Sequence, residues 1–214
     1  MRNRVPKLPS PRRTYQQVAR AHSTQETEHR VVEAATQLFA ERFYDDVHLE
    51  DVARLAGVTV KTIQRRFGGK EGLARAFLVA AGKHNAALRD RVPAGDPEVA
   101  VDFILGMYEP LGDTLMRTLA LDGRVPVVTE MAETGRALHW GWLQRVFGPL
   151  LSAEQAARQD QLAALLIATD VYTWKLLRRD RGLSPARTRA VLLQFVTDAL
   201  SRPTRRPSNR EHTP

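Results

Sequence analysis

The chain has 214 residues, 43% hydrophobic and 26% charged, the balance of an ordinary soluble globular protein with enough apolar residues for a core. With 32 Lys and Arg against 24 Asp and Glu it carries a net charge of +8 and a pI of about 10.4, which favours a polyanionic partner such as nucleic acid. Cysteine is absent, which excludes disulfides and thiolate metal sites and suits a reducing cytosol. No apolar run has the length of a membrane span, and no apolar stretch follows the basic N-terminus as in a secretory signal, so a cytoplasmic protein is expected.

Met1 to His22 carries Arg2, Arg4, Lys7, Arg12, Arg13 and Arg20 with three prolines and no acid. It reads as a disordered basic arm, either a solvated tail or a segment lying along phosphates or in a minor groove. Ser23 and Glu26 have the spacing of a capping box, and Val31, Val32, Ala35, Leu38 and Phe39 form one apolar helical face that should end near Arg42.

Leu49 to Phe67 reads as two short helices and a tight turn. Val52, Ala53 and Ala56 form an apolar stripe, Gly57 stands where the chain needs a positive φ, and Thr59 is a good N-cap for the second helix. In that helix Ile63 and Phe67 can face a core, helped by Val58 and Val60, leaving Lys61, Thr62 and Arg65 outward. From Thr59 to Lys70 there are four bases (Lys61, Arg65, Arg66 and Lys70) and no acid, whereas a merely solvated helix mixes signs. This is a helix-turn-helix whose second helix suits a DNA major groove.

Gly68 and Gly69 close that helix, and another runs from Lys70 towards Arg91. Asp96 and Pro97 have the form of an N-cap followed by proline at the first helical position, starting a helix that Pro110 and Gly112 should kink or split before Leu115. A loop at Asp122 to Pro126 precedes a helix over roughly Thr129 to Phe147. Ser152 and Gln155 have capping-box spacing and open a long apolar helix, about Ala153 to Arg181, that stops at Gly182. Ser184 and Pro185 open the last helix, and Pro203 and Pro207 lie in a tail expected to be disordered. No β alternation is convincing. The fold class is all-α with about nine helices: a disordered arm (1–22), a helix-turn-helix DNA-binding domain (23–75), a helical ligand-binding and dimerisation domain (76–201) and a disordered tail (202–214).

The runs EHRVVEAATQLFAERFYDD, LEDVARLAGVTVKTIQRRF and GGKEGLARAF stand in one register over about fifty residues. With their Ala34-Ala35 pair, Phe39, the Ala56-Gly57-Val58 turn, Phe67 and Lys70-Glu71-Gly72-Leu73, residues 27–77 resemble the tetracycline-repressor (TetR) family of bacterial transcription regulators. Beyond them the chain resembles the family in helix layout, and WKLLRRD from Trp174 looks like the penultimate helix of many members. Three positions depart from the family pattern: His48 in place of a Thr or Ser cap, Gln64 in place of a Tyr, and Gly69 in place of a Ser or Asn. Gln64 keeps a polar head but loses the aromatic reach to phosphate.

The resemblance implies a homodimer on a palindromic double-stranded DNA operator, its recognition helices one turn or a multiple apart, with half-sites roughly 34–36 Å apart in the one-turn case. Thr59, Gln64 and Lys70 are candidates for phosphate contact and Lys61, Thr62 and Arg65 for base edges, while Arg66 only neutralises charge. The last two long helices would pair with a second copy as a four-helix bundle. A small apolar or aromatic ligand would lie among Phe103, Met107, Tyr108, Met116, Trp140, Trp142, Phe147 and Trp174, residues that equally suit plain core. Ligand binding would act by favouring one dimer geometry, which suits a repressor released from its operator.

An enzyme is not expected. Gly68 to Gly72 lacks the hydroxyl residue and first glycine of a phosphate loop, and no second ligand stands at metal spacing beside His139. His48 among Asp45, Asp46, Glu50 and Asp51 reads as an acid-rich helix start rather than a metal cluster. No catalytic residue, metal or cofactor is assigned. Two other binding classes remain: a non-specific or architectural DNA binder driven by charge, and a regulator controlled by a protein partner instead of a small ligand.

Overall fold

In the computed structural model, which describes the backbone of residues 11–201 and the side chains of 22–201 apart from His84, the regular elements are all helical. Nine α-helices follow in order: α1 (Pro11–Glu41), α2 (Leu49–Ala56), α3 (Val60–Phe67), α4 (Lys70–Asp90), α5 (Pro97–Leu119), α6 (Pro126–Phe147), α7 (Gln155–Ala168), α8 (Val171–Lys175) and α9 (Pro185–Ser201). The chain divides into an N-terminal unit up to Leu78 and a C-terminal unit from Val79. The tail expected to be disordered from residue 202 lies outside the described residues.

Helix α1 begins at Pro11, not at Ser23, so Ser23 and Glu26 do not form an N-terminal capping box. Proline is favoured at a first helical position, and the Gln-, Ala- and Arg-rich stretch that follows contains no breaker. Of the expected disordered arm, 11–22 is therefore helical and 1–10 lie outside the described residues. The buried face of α1 is Val31, Ala34, Ala35, Leu38 and Phe39, at i, i+3, i+4, i+7 and i+8. It packs on Val52, Ala53 and Ala56 of α2, with Ile63 and Leu73 completing the core. Phe39 stacks on Tyr44 (ring centroids 5.8 Å apart) and meets Phe77 (5.7 Å).

The C-terminal unit is built around α5. Asp96 caps it, its carboxylate accepting from the Val99 amide at 3.1 Å, with Pro97 behind it. The helix is not split at Pro110. Ala100, Val101, Ile104, Leu105, Tyr108 and Gly112 form one buried stripe that passes the proline, and burying it offsets the roughly 3 kcal/mol cost of a mid-helix proline. Helix α6 starts at Pro126, three residues before the expected start, because proline again takes the first position and Val127 and Val128 enter the core.

The long helix expected over 153–181 is three pieces. At Thr169-Asp170 local side chains compete with the ladder: Thr169 Oγ1 donates to the Leu165 carbonyl (2.8 Å), and the Asp170 carboxylate accepts from the Tyr172 amide (2.8 Å) to start α8. A π-helical turn over Leu176–Asp180 follows, with the Arg181 amide donating to the Leu176 carbonyl at 3.0 Å, and Gly182 ends it at φ +66°. Ser152 and Gln155 form no capping box either. Ser152 Oγ accepts from the Glu154 amide, while the Ser152 amide donates to buried Gln161, which reaches the Leu200 carbonyl. Trp142, Leu143, Phe147, Leu165, Trp174 and Leu192 fill the centre of this unit.

Candidate nucleic-acid interface

The turn between α2 and α3 follows from local chemistry. Gly57 adopts φ +66°, a left-handed conformation cheap only for glycine, and the Val58 amide closes back on the Ala53 carbonyl at 2.9 Å. Thr59 then caps α3, its hydroxyl accepting from the Thr62 amide at 3.2 Å and lying 3.0 Å from Thr62 Oγ1. His48, by contrast, stands at the start of α2 with no side-chain capping bond, as its departure from Thr or Ser implies. Gly68 ends α3 at φ +76°, and Gly69, at φ +129°, leads into α4.

With Ile63 fully buried, α3 presents Lys61, Gln64 and Arg65 to solvent on one face at i, i+3 and i+4. Neither Lys61 nor Arg65 makes an ion pair among the described residues, so both cations are available to an external anion. Thr59 is exposed beside them and Thr62 is half-buried. Lys70 is placed differently. Its ammonium donates to the Asp45 carbonyl at 3.1 Å and lies 4.4 Å from the Tyr44 ring centroid, with its pKa pushed down by burial.

Arg66 is not a free charge on this face. It is mostly buried, bonded to Glu28 (2.8 Å) and to the Thr24 carbonyl (3.3 Å), and fastens α3 to α1. Asp51 was missed by sequence reasoning. It accepts from Arg54 (2.6 Å) and Arg42 (2.7 Å), which hold its carboxyl below the usual range, and so ties α2 to the end of α1. The Arg54 partner is an i, i+3 neighbour on α2 that the spacing could have signalled, but Arg42 lies outside that helix and is brought to Asp51 only by the fold.

Of the expected pocket residues, Tyr108, Phe147 and Trp174 are buried together in the C-terminal core with Trp142, and Phe103, Met107 and Met116 pack half-buried against them. Trp140 is 38% exposed on the outside of α6. Beside this core lies a polar chain. Arg89 at the end of α4 donates to His139 Nδ1 (3.3 Å), which leaves the ring proton on Nε2 to be donated to Thr169 Oγ1 (2.9 Å). The Tyr108 hydroxyl donates to the Thr169 carbonyl at 3.1 Å.

Burial, and then the nearby Arg89 charge, push the His139 pKa down from 6.5 to about 4. The unfolded chain therefore binds one more proton than the folded one between those values. The stability of keeping this ring neutral is complete above pH 6.5 and is lost as the pH falls towards 4, to a total of about 3 kcal/mol. Denaturant titrations of wild type and His139→Gln at pH 7 and pH 5 check this. The wild type should lose more stability on acidification than the variant, and equal losses would refute the assignment.

Among the described residues no group of three or more His, Cys, Asp or Glu is placed to hold a metal ion, and no helix is long and apolar enough to cross a membrane.

The family model for bacterial regulatory proteins of the tetR family matches residues 31–77, from the core of α1 to the first turns of α4. No curated protein matches the chain in sequence. The fold is similar to that of GusR from Salmonella enterica (TM-score 0.64, 18% identity, covering 81% of this chain and 95% of that one). It is also similar to a tetR-family transcriptional regulator from Streptomyces coelicolor (TM-score 0.63, 16% identity, 82% and 79% covered). A third likeness is NalD of Pseudomonas aeruginosa, the secondary repressor of the MexAB-OprM multidrug efflux pump (TM-score 0.51, 21% identity, 83% and 97% covered). Residues 31–77, which contain the helix-turn-helix, thus match the tetR family of bacterial regulatory proteins, and the chain as a whole has a fold similar to that of a solved tetR-family transcriptional regulator.

Proposed function

We propose that this protein is a dimeric, sequence-specific DNA-binding regulator, acting in the cytoplasm as a repressor that a small molecule releases from a palindromic operator. The observation that carries the reading is the exposed trio Lys61, Gln64 and Arg65 on one face of a capped α3, its two cations without counter-ions. Lys61, Thr62 and Arg65 read base edges, while Thr59, Gln64 and Lys70 contact phosphates. The family of the N-terminal domain supports operator binding, and the repressor role of NalD supports the sign. Dimerisation through α7 and α9 is supported by Ile167 (67% exposed) and Phe195 (46% exposed), apolar side chains that a second copy would cover.

Selection of bound fragments from random DNA at moderate salt tests the reading. A palindromic consensus is expected. Fragments without a shared motif would instead indicate a charge-driven, non-specific binder. In the same assay Arg65→Ala should relax preference at one base in each half-site, a loss of about 1–3 kcal/mol of discrimination. A uniform loss on all sequences would reassign Arg65 to phosphate.

A further inference from the structure

In the C-terminal unit one donor group is short of acceptors and a second, whose ring it lies over, has none. The first is the Arg89 guanidinium. It has five N–H donors, yet its side-chain hydrogen-bond partners are one imidazole nitrogen, His139 Nδ1, and one thioether, the Met107 sulfur at 3.8 Å. It makes no ion pair with any carboxylate among the described residues. It lies instead against rings, 5.5 Å from the Trp142 centroid and 5.9 Å from that of Phe103. The second is the Trp142 indole N–H, buried and without a hydrogen-bond partner.

Arg89 is not explained by its place at the end of α4. A cation there can satisfy the last carbonyls of the helix, but Arg145 already does so, donating to the Arg89 carbonyl at 2.5 Å and the Val92 carbonyl at 2.9 Å. A desolvated cation without a counter-charge costs free energy, and so does a buried unpaired N–H. Both defects are donors, so one acceptor-only group carrying a negative charge removes both. A carboxylate fits: it is planar, carries one charge, and its two oxygens match a guanidinium edge. A phosphate dianion would call for a second cation, and the neighbouring Arg145 is already engaged by two backbone carbonyls.

We propose that the ligand of the C-terminal unit is a small organic acid with a flat apolar body, its carboxylate received by the Arg89 guanidinium and the Trp142 indole N–H. Phe103 and Met107 form the wall for that body. Both are half-buried, and a methionine side chain repacks readily around ligands of different outline. His139 positions Arg89 by accepting one of its N–H groups, and as a neutral ring it adds no competing charge. This inference rests on the reading of the C-terminal unit as a ligand-responsive domain.

The test is a fluorescence and thermal-melting titration of the full chain, without DNA and at constant ionic strength. The probes are benzoate and 2-naphthoate, each paired with its neutral amide, and inorganic phosphate. 2-Naphthoate is expected to raise the melting temperature and to bind at least about tenfold more tightly than 2-naphthamide, the difference that charge-assisted bonds make. Arg89→Met should bind acid and amide alike. Unliganded, it should melt close to wild type, because removing a cation that lacks a counter-ion offsets the loss of the donor to His139 Nδ1. Arg89→Lys should show a reduced preference, having charge without the bidentate fork.

Equal binding of acid and amide by the wild type overturns the proposal and needs no variant to do so. So does absence of binding by both acids at about 10 mM, tighter binding of phosphate, or a large drop in the melting temperature of unliganded Arg89→Met. Selection of DNA by the wild type is scored separately. A palindromic consensus without acid binding removes this site and leaves the regulator, and acid binding without a consensus does the reverse.

Discussion

Gly72→Ala is expected to disable the N-terminal unit, although Gly72 lies in a regular helix and alanine is the better helix former. A Cβ at this position would stand 1.7 Å from the Phe67 carbonyl oxygen, and 2.9 Å from its carbon. The obstacle is backbone, so no rotamer change relieves it. The end of α3 must move away from the start of α4, and α3 carries Lys61, Gln64 and Arg65. A destabilisation of about 3 kcal/mol or more is expected, at the upper end of overpacking costs, with loss of specific DNA binding. Gly82→Ala is the control. It lies in the same helix with nothing within 4 Å of its Cβ, so it should gain about 0.5–1 kcal/mol from propensity. The two variants are compared by thermal melting and by affinity for the selected operator. If Gly72→Ala behaves like Gly82→Ala, the close approach of α3 and α4 is wrong.

Trp174→Ala is expected to cost the C-terminal unit about 3–5 kcal/mol. The ring is fully buried, its Nε1 donates to Glu109 at 3.0 Å, and the Arg179 guanidinium lies 4.6 Å from its centroid. Glu109 is held well below the usual carboxylate range, first by Arg178, which grips it at 2.6 and 2.9 Å, and also by this indole. Losing the ring therefore leaves a cavity and a carboxylate with one partner fewer. The other wall is Gly112, where a Cβ would come within 2.2 Å of the Trp174 ring. Gly112→Ala alone should destabilise by about 1–3 kcal/mol, and in the Trp174→Ala background it should cost almost nothing, because its obstacle is gone. Additive losses in this cycle, read by denaturant titration, would refute the contact.

The elements that were legible in the sequence share one property. Their stabilising bonds close within a few residues. Gly57 and the Val58 amide, Thr59 and the Thr62 amide, and Asp96 and the Val99 amide are all such pairs. The helix-turn-helix and its exposed Lys61 and Arg65 could be read for this reason, as could the buried face of α1. The capping boxes at Ser23 and Ser152 had the right spacing and failed. At Ser23 the helix had already started at Pro11, and at Ser152 the side chain and amide found other partners. A capping pattern states a local option, and the rest of the chain decides whether it is used.

By itself, then, the sequence determined an all-α chain, the helix-turn-helix in its register, and the outward basic face of α3, because caps, glycine turns and apolar periodicity act over one or two helical turns. Tertiary structure alone decided that α5 runs through Pro110, since the compensating burial comes from other helices. It also decided which cations are free. Arg66 is paired with Glu28, 38 residues away, and Arg89 with a neutral histidine 50 residues away instead of an acid. Charge can be counted along the chain, but whether it is neutralised depends on which distant groups the fold brings within about 4 Å.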